Sequence, residues 1–428
     1  VYLAESRAAK APAAAPGKSP GRGGAAVPGT VLALGAVSLI TDISSEMVTA
    51  VLPLYVVTGL GLSPLGFGVL DGINNGVGSL VRLLGGHFAD RGGRGHKTVA
   101  ALGYGLSALC KPLLLLVHSI TLIGGVLAVD RTGKGLRTAP RDAMISLATA
   151  PEHRGRAFGV HRAMDTTGAL LGPLLAFALL RLTVDGYDAV FTVSGCIAVI
   201  GVLVLLLFVP TPAAAPRSEE PRTAPPKLTE SLALLKLPAL RRLTLCAMLL
   251  GLTTVSDSFL YLLLQRQLDL PTRMFPLLPL GTAAAFLLLA YPLGVVADRI
   301  GRRTLFLLGH AVLLLAYTAV LLSTGSGAAV AVGVLLLHGL FYAATDGVLA
   351  AAAADVTPAD QVGAGLALVG TGQALARFAC SLLFGAAWSV WGGHTTLAVT
   401  AAAMTAGAVT AGFVLRTATP TGTAGAAK

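Results

Sequence analysis

Gly86-His87-Phe88-Ala89-Asp90-Arg91-Gly92-Gly93-Arg94 closes one apolar run, and Gly294-Val295-Val296-Ala297-Asp298-Arg299-Ile300-Gly301-Arg302 closes another 208 positions later. The glycines, alanine, aspartate and arginines recur in register at an offset close to half of the 428 residues. Self-similarity at a fixed spacing signals an internal duplication. The fold of one half therefore predicts the fold of the other.

Outward from these turns the chain is 54% hydrophobic and 12% charged, with a mean hydropathy of +0.78. Soluble domains carry about 25% charged residues. Apolar runs of about 20 residues, each enough to cross a hydrocarbon core of roughly 30 Å as a helix, recur along nearly the whole chain. The solvent is lipid. A net charge of +11 would suggest nucleic acid in a soluble protein, but the bases gather between apolar runs and read as topology signals. Cys110, Cys196, Cys246 and Cys380 lie within apolar runs without C-x-x-C spacing, as packing residues. Residues 1–28 combine Ala, Pro and Gly with Arg7, Lys10, Lys18 and Arg22 and contain no apolar segment of signal-peptide type, so they read as a disordered cytoplasmic tail. Val1 and the Ala/Leu/Gly/Arg bias point to an alternative start codon and a high-GC bacterial genome.

Apolar runs predict helices near 30–58, 65–86, 98–117, 120–140, 157–181 and 188–209, then near 240–264, 273–296, 303–323, 327–350, 362–389 and 392–416. The expected fold is an all-α membrane protein of twelve transmembrane helices in two six-helix bundles, 29–209 and 240–416. A Pro-rich, mixed-charge linker at 210–239 separates them, and a tail follows at 417–428. Arg91, Arg94, Lys97, Arg141, Arg154, Arg156, Arg299, Arg302 and Arg303 occupy loops of one side, which the positive-inside rule makes cytoplasmic, together with both termini. Loops 59–64 and 324–327 carry no base, and Arg266 and Arg273 are the main exceptions.

In the repeated turn, Gly86 and Gly294 permit close helix approach, Asp90 and Asp298 can cap a helix N-terminus, and Arg91, Arg94, Arg299 and Arg302 can bridge to carboxylates or helix C-termini, with Gly93 and Gly301 between them. Such a turn can act as a cytoplasmic latch between bundles, or the arginines can simply enforce orientation. The pattern resembles the signature loop of the major facilitator superfamily, which lies between its second and third helices and reappears between the eighth and ninth. The resemblance covers residues 30–416. Arg131-Thr-Gly-Lys134-Gly135 resembles the family's R-x-x-x-G element, and Gly168-Ala-Leu-Leu-Gly172-Pro173 resembles the G-x-x-x-G-P element of its drug/proton antiporters. In that family the first is linked to proton coupling and the second to export. The sequence departs from the pattern at Gly95-His96, inserted before Lys97.

Charges at bilayer depth are expensive and mark function. Asp42 and Glu46 share a face of the first helix at i, i+4 spacing. In the fourth helix Asp130, Lys134, Arg137 and Arg141 project in one stripe, with Arg131 beside it; Asp71 and Lys111 add one charge of each sign. This set can be a static ion-pair network that fixes packing or a protonation switch. Asp42, Glu46, Asp130 and Arg131 are the candidates for proton coupling. Lys111, Lys134, Arg137, Asp257 and Arg377 are the candidates for substrate binding, with Arg377 either contacting an anionic group or pairing with Asp257. Asp346 reads as a helix-end residue, Arg156, Arg162 and Asp165 as a membrane-entry segment, and the lone His161 as structural.

No phosphate loop, H-E-x-x-H, Cys/His ligand cluster or nucleophile elbow occurs, so neither enzyme, metal site nor cofactor is expected. The expected protein is a monomeric secondary active transporter of the bacterial cytoplasmic membrane. It would move an organic small molecule by proton-coupled efflux, with an importer of an organic anion and a channel as alternatives.

Overall fold

A computed structural model describes residues 27–89, 95–184, 186–210, 233–323, 328–358 and 361–416, and these are helices and their connections, without a strand. In the first half α1 spans Gly29–Leu54, α2 Pro64–Ala89, α3 Gly95–Leu116, α4 Ile120–Leu147, α5 Arg154–Leu182 and α6 Gly186–Phe208. In the second, α7 spans Pro238–Gly251, α8 Asp257–Gln267, α9 Leu277–Ile300, α10 Arg302–Leu322, α11 Ala328–Thr345, α12 Val348–Asp355, α13 Val362–Trp391 and α14 Gly393–Arg416. Among the described residues, nine helical segments are long and apolar enough to cross a membrane. α2, α4 and the α7–α8 pair fall outside that set but run between its members in chain order, in keeping with twelve passes. The expected N-terminal tail up to residue 26, most of the linker and the C-terminal tail lie outside the described residues.

The duplication extends to packing. In the first half α1 packs on α5 and α6, α2 on α4, and α3 on α4 and α6; in the second α7 packs on α13 and α14, α9 on α11, and α10 on α11 and α14. Each pairing recurs between the corresponding passes. Between membrane helices there is no hydrophobic drive to associate, so small residues that let backbones touch decide where helices meet. A Cβ on Gly103 would lie 2.6 Å from the Gly133 carbonyl oxygen, which is how the charged α4 fits against α3.

Two passes are interrupted where unbroken helices are expected. The seventh opens between Gly251 and Asp257, and the hydroxyl of Tyr317 on α10 accepts from Val255 N at 2.8 Å and donates to Thr253 O at 3.4 Å. Without those bonds the freed backbone groups would be unsatisfied in a medium with no water. The tenth pass breaks between Thr345 and Val348 at Gly347, whose φ of 36° lies in the region that favours glycine, and then continues to Asp355. Asp346 therefore follows the end of α11, as a helix-end residue, but at a break within the pass and not at its cytoplasmic end. The first pass ends in a π turn, Tyr55–Gly59, just after Pro53.

The halves meet along α2 with α13 and α5 with α9. α2 and α13 touch at the end far from the termini, where a Cβ on Gly68 would lie 2.6 Å from Ser381 O and one on Gly385 2.6 Å from Pro64 O. The backbone nitrogen of Leu65 donates to Ser389 Oγ at 3.0 Å. The molecule is closed at this far end.

Candidate functional site

A cavity with about 150 Å³ of room for solvent lies between the halves. α1 contributes Glu46, Thr49 and Pro53, and α2 contributes Asp71 and Asn74. The two interrupted passes supply Ser256, Asp257, Tyr342 and Asp346, and α13 supplies Arg377 and Ser381. The breaks bring backbone termini and short polar side chains to the cavity between the halves, where a continuous helix would present only its side.

Asp71 roofs this cavity. Its side chain is buried, with Oδ1 accepting from Ser256 Oγ at 2.8 Å and Oδ2 from Ser381 Oγ at 2.6 Å. Both serines belong to the other half, so one carboxylate joins the two bundles. Asp257, the first residue of α8, accepts from the Tyr342 hydroxyl and lies 3.3 Å from His338 Nε2. Arg377 lies with its Cζ 5.9 Å from the Tyr342 ring centre and its Nε without a hydrogen-bond partner. No ion pair within 4 Å joins Asp257 to Arg377. Of the two roles expected for Arg377, pairing with Asp257 is not the arrangement found, because His338 and Tyr342 hold that carboxylate.

A second set of charges runs through the first half beside the cavity. Lys111 Nζ meets Asp130 Oδ1 at 2.9 Å, both buried between α3 and α4, and Arg131 Nε lies 3.8 Å from Asp130 Oδ2. Arg131 Nη2 donates to Thr49 Oγ1 of α1 at 3.4 Å. Lys134 Nζ is 3.9 Å from both Asp42 Oδ1 and Glu46 Oε1, and Arg137 Nη2 is 3.6 Å from Asp42 while its guanidinium lies 4.3 Å over the Tyr104 ring. Asp165 of α5 pairs with Arg141 Nη1 at 3.6 Å, beside Asp42. Ser38 Oγ bonds His161 Nε2 at 2.9 Å and accepts from Arg141 at 3.3 Å. The structure thus places Asp165 inside this network and not at a membrane-entry surface, with His161 held beside it by Ser38.

These distances sort the expected site residues. Glu46, Asp257 and Arg377 line the cavity; Lys111, Lys134 and Arg137 do not, because local carboxylates on α1 and α4 take them up. Asp42, Asp130 and Arg131 belong to the network behind Glu46. Gly168 and Gly172 of the antiporter-like element, followed by Pro173, seat α5 on α1: a Cβ on Gly168 would strike the Leu39 carbonyl, and one on Gly172 would lie 2.8 Å from Glu46 Cβ.

Of the first repeated turn, Asp90, Arg91, Gly93 and Arg94 lie outside the described residues, as do the surroundings of Gly86. In the second, Arg302 Nη1 bonds Asp355 at 2.6 Å and Ala351 O at 3.2 Å, and its Nη2 is 3.8 Å from Asp298. These contacts bind α9, α10 and α12 of one half together. Gly301 takes φ 89° and Arg299 precedes it at the end of α9. Gly294 has nothing within 4 Å of where its Cβ would be, so the close helix approach expected there is not made.

Two packing-equivalent halves around a shared polar cavity are the architecture of a secondary transporter. The sequence model of the Major Facilitator Superfamily matches residues 34–336 and 260–428, and the chain belongs to that family. It is 30% identical over 374 residues to an uncharacterized MFS-type transporter of Methanocaldococcus jannaschii, covering 84% of this chain and 88% of that protein. An uncharacterized protein of Mycobacterium tuberculosis is 32% identical over 186 residues, 42% of this chain and 45% of its own length. Among solved structures, the nucleoside transporter NupG superposes with a TM-score of 0.76 at 13% identity, covering 90% of this chain and 99% of that one. A bacterial homolog of the human lysosomal transporter Spinster, inward-facing and occupied, gives 0.75 at 16%, covering 90% and 96%. These likenesses establish the fold.

Proposed function

We propose that this chain exports an organic small molecule across the bacterial cytoplasmic membrane in exchange for protons, by alternating access of the cavity between its halves. The observation that carries the reading is the network that begins at Lys111 and Asp130 and ends at Glu46 on the cavity wall. A proton delivered to Asp42 or Glu46 removes the counter-charge of Lys134 or Arg137. Breaking a buried pair costs about 3–5 kcal/mol, while reversing a 1:99 population takes about 5.5 kcal/mol. One protonation is thus of the size needed to bias the two states.

Export is supported by Gly168, Gly172 and Pro173, because this antiporter-like element presses α5 onto α1 at the backbone of Ile43 and Met47, between Asp42 and the cavity. With the termini cytoplasmic, the far end is the outside and the state described is inward-facing. The second repeated turn then fastens α9, α10 and α12 as a unit that moves together. Uptake of an organic anion draws its support from Arg377 alone.

The test is ΔpH dissipation in everted vesicles energised acid-inside, challenged with a panel of organic amines, acids and neutral drugs. The reading expects compound-dependent proton release that Asp42→Asn, Glu46→Gln and Asp130→Asn each impair while expression is retained. Normal release by all three variants would refute the coupling assignment.

A further inference from the structure

We infer that the cavity takes an organic cation, an amine on an aromatic or apolar body, held by the carboxylates of Asp257 and Glu46. The inference rests on the proposed role of this cavity as the transport site. It follows from which polar atoms there still want a partner.

Four carboxylates border the cavity, Glu46, Asp71, Asp257 and Asp346, against one base, Arg377. They are not equivalent. Asp71 has both oxygens engaged by serine hydroxyls. Asp346 shares the cavity wall with Arg377, whose positive charge it offsets. Asp257 has Oδ1 occupied by Tyr342 and His338, and among the described residues its Oδ2 has no partner, on a side chain 23% exposed. Glu46 Oε1 is buried without a hydrogen bond, and its nearest base, Lys134, stands off at 3.9 Å. Thr282 Oγ1, on a side chain only 5% exposed, also makes no hydrogen bond and faces the same space.

Buried polar atoms without partners are costly and are satisfied by a ligand or by water. The unmet acceptors, on Asp257, Glu46 and Asn74, outnumber the one unmet charged donor, Arg377 Nε, and two of them are acids, so the complementary group is a donor with positive charge. An ammonium supplies both, with no acceptor of its own to leave unpaired. The rest of the wall is small and aliphatic side chains together with the rings of Tyr261, Phe275, Phe286 and Tyr342, which suits a cation attached to a ring or alkyl body. A carboxylate or phosphate entering the same space would find one guanidinium among four acids.

The test compares isosteric probes of opposite charge on the purified full chain in detergent, where no gradient is needed: 2-phenylethylamine against 3-phenylpropanoate, and tryptamine against indole-3-propanoate. Because it reads binding alone, it stands or falls separately from proton coupling and direction. The amines are expected to raise Tm with concentration and the acids to leave it unchanged. Asp257→Asn and Glu46→Gln should each weaken amine binding ten-fold or more, Asp257→Glu should restore part of it, and Arg377→Gln should increase the preference for amine over acid. The inference is overturned if the acids stabilise as well as the amines, if Arg377→Gln abolishes amine binding, or if none of the amines shifts the wild-type protein.

Discussion

Asp71 illustrates what single side chains do in this protein: it is a buried charge whose two partners, 185 and 310 positions away in the chain, lie in the opposite half. Replacing it with Ala removes both bonds across the seam. A cysteine at Ser389→Cys is then expected to react several-fold faster with an impermeant maleimide, because the far end opens more often. Lys111 and Asp130 allow a second test at this scale. Lys111→Met alone leaves the buried Asp130 carboxylate with only the more distant Arg131 at 3.8 Å and is expected to cost about 3 kcal/mol, the lower end of the range for breaking a buried pair, read as a lower Tm. Adding Asp130→Leu restores an apolar contact and should recover Tm without recovering proton-coupled flux; recovery of both would make the pair merely structural. Asp42, Glu46, Asp257 and Arg377 were legible in the sequence because charges inside apolar runs are conspicuous. The partners of Asp71 were not, since a serine in an apolar run carries no such signal. Asp165 was hidden by its place in a string of charged residues at the start of α5, a pattern an interfacial segment shares.

At the level of elements, close glycine contacts and broken helices shape the site. Gly68→Val would place its Cβ where Ser381 O lies within 2.6 Å. It is expected to leave each half folded but to bar far-end closure, which accessibility of the Ser389→Cys thiol would report as persistently high. Tyr317→Phe removes the hydroxyl that satisfies Val255 N and Thr253 O in the gap of the seventh pass. The loss of a buried partner is worth about 1–3 kcal/mol, and a reduced Tm should follow; an unchanged Tm would mean the gap is held by something else. The existence and order of the passes could be read from hydropathy, because length and composition alone decide whether a helix can span. The gap at 252–256 could not. Its residues, Leu-Thr-Thr-Val-Ser, contain neither Gly nor Pro, and the break depends on a tyrosine 62 positions from Val255 that takes over the backbone's hydrogen bonds.

At the scale of the whole molecule, duplication accounts for two halves with matching internal contacts, and the seams of α2 with α13 and α5 with α9 give them surfaces on which to rock. The repeated Gly-x-x-Ala-Asp-Arg turn made this architecture readable from the sequence. Which end is closed was not readable, because it depends on a balance between states that the same sequence supports, set here by Gly68, Gly385 and Asp71. The most direct test of alternating access is a pair of electron-spin distance measurements on the reconstituted protein. One pair of labels sits at the far end, at Ser63 and Trp391, and one at the end near the termini, at Ala148 and Val356. On imposing a pH gradient the account predicts opposite changes, the far-end distance lengthening as the other shortens. Distances that stay fixed at both ends, or that lengthen together, would contradict it.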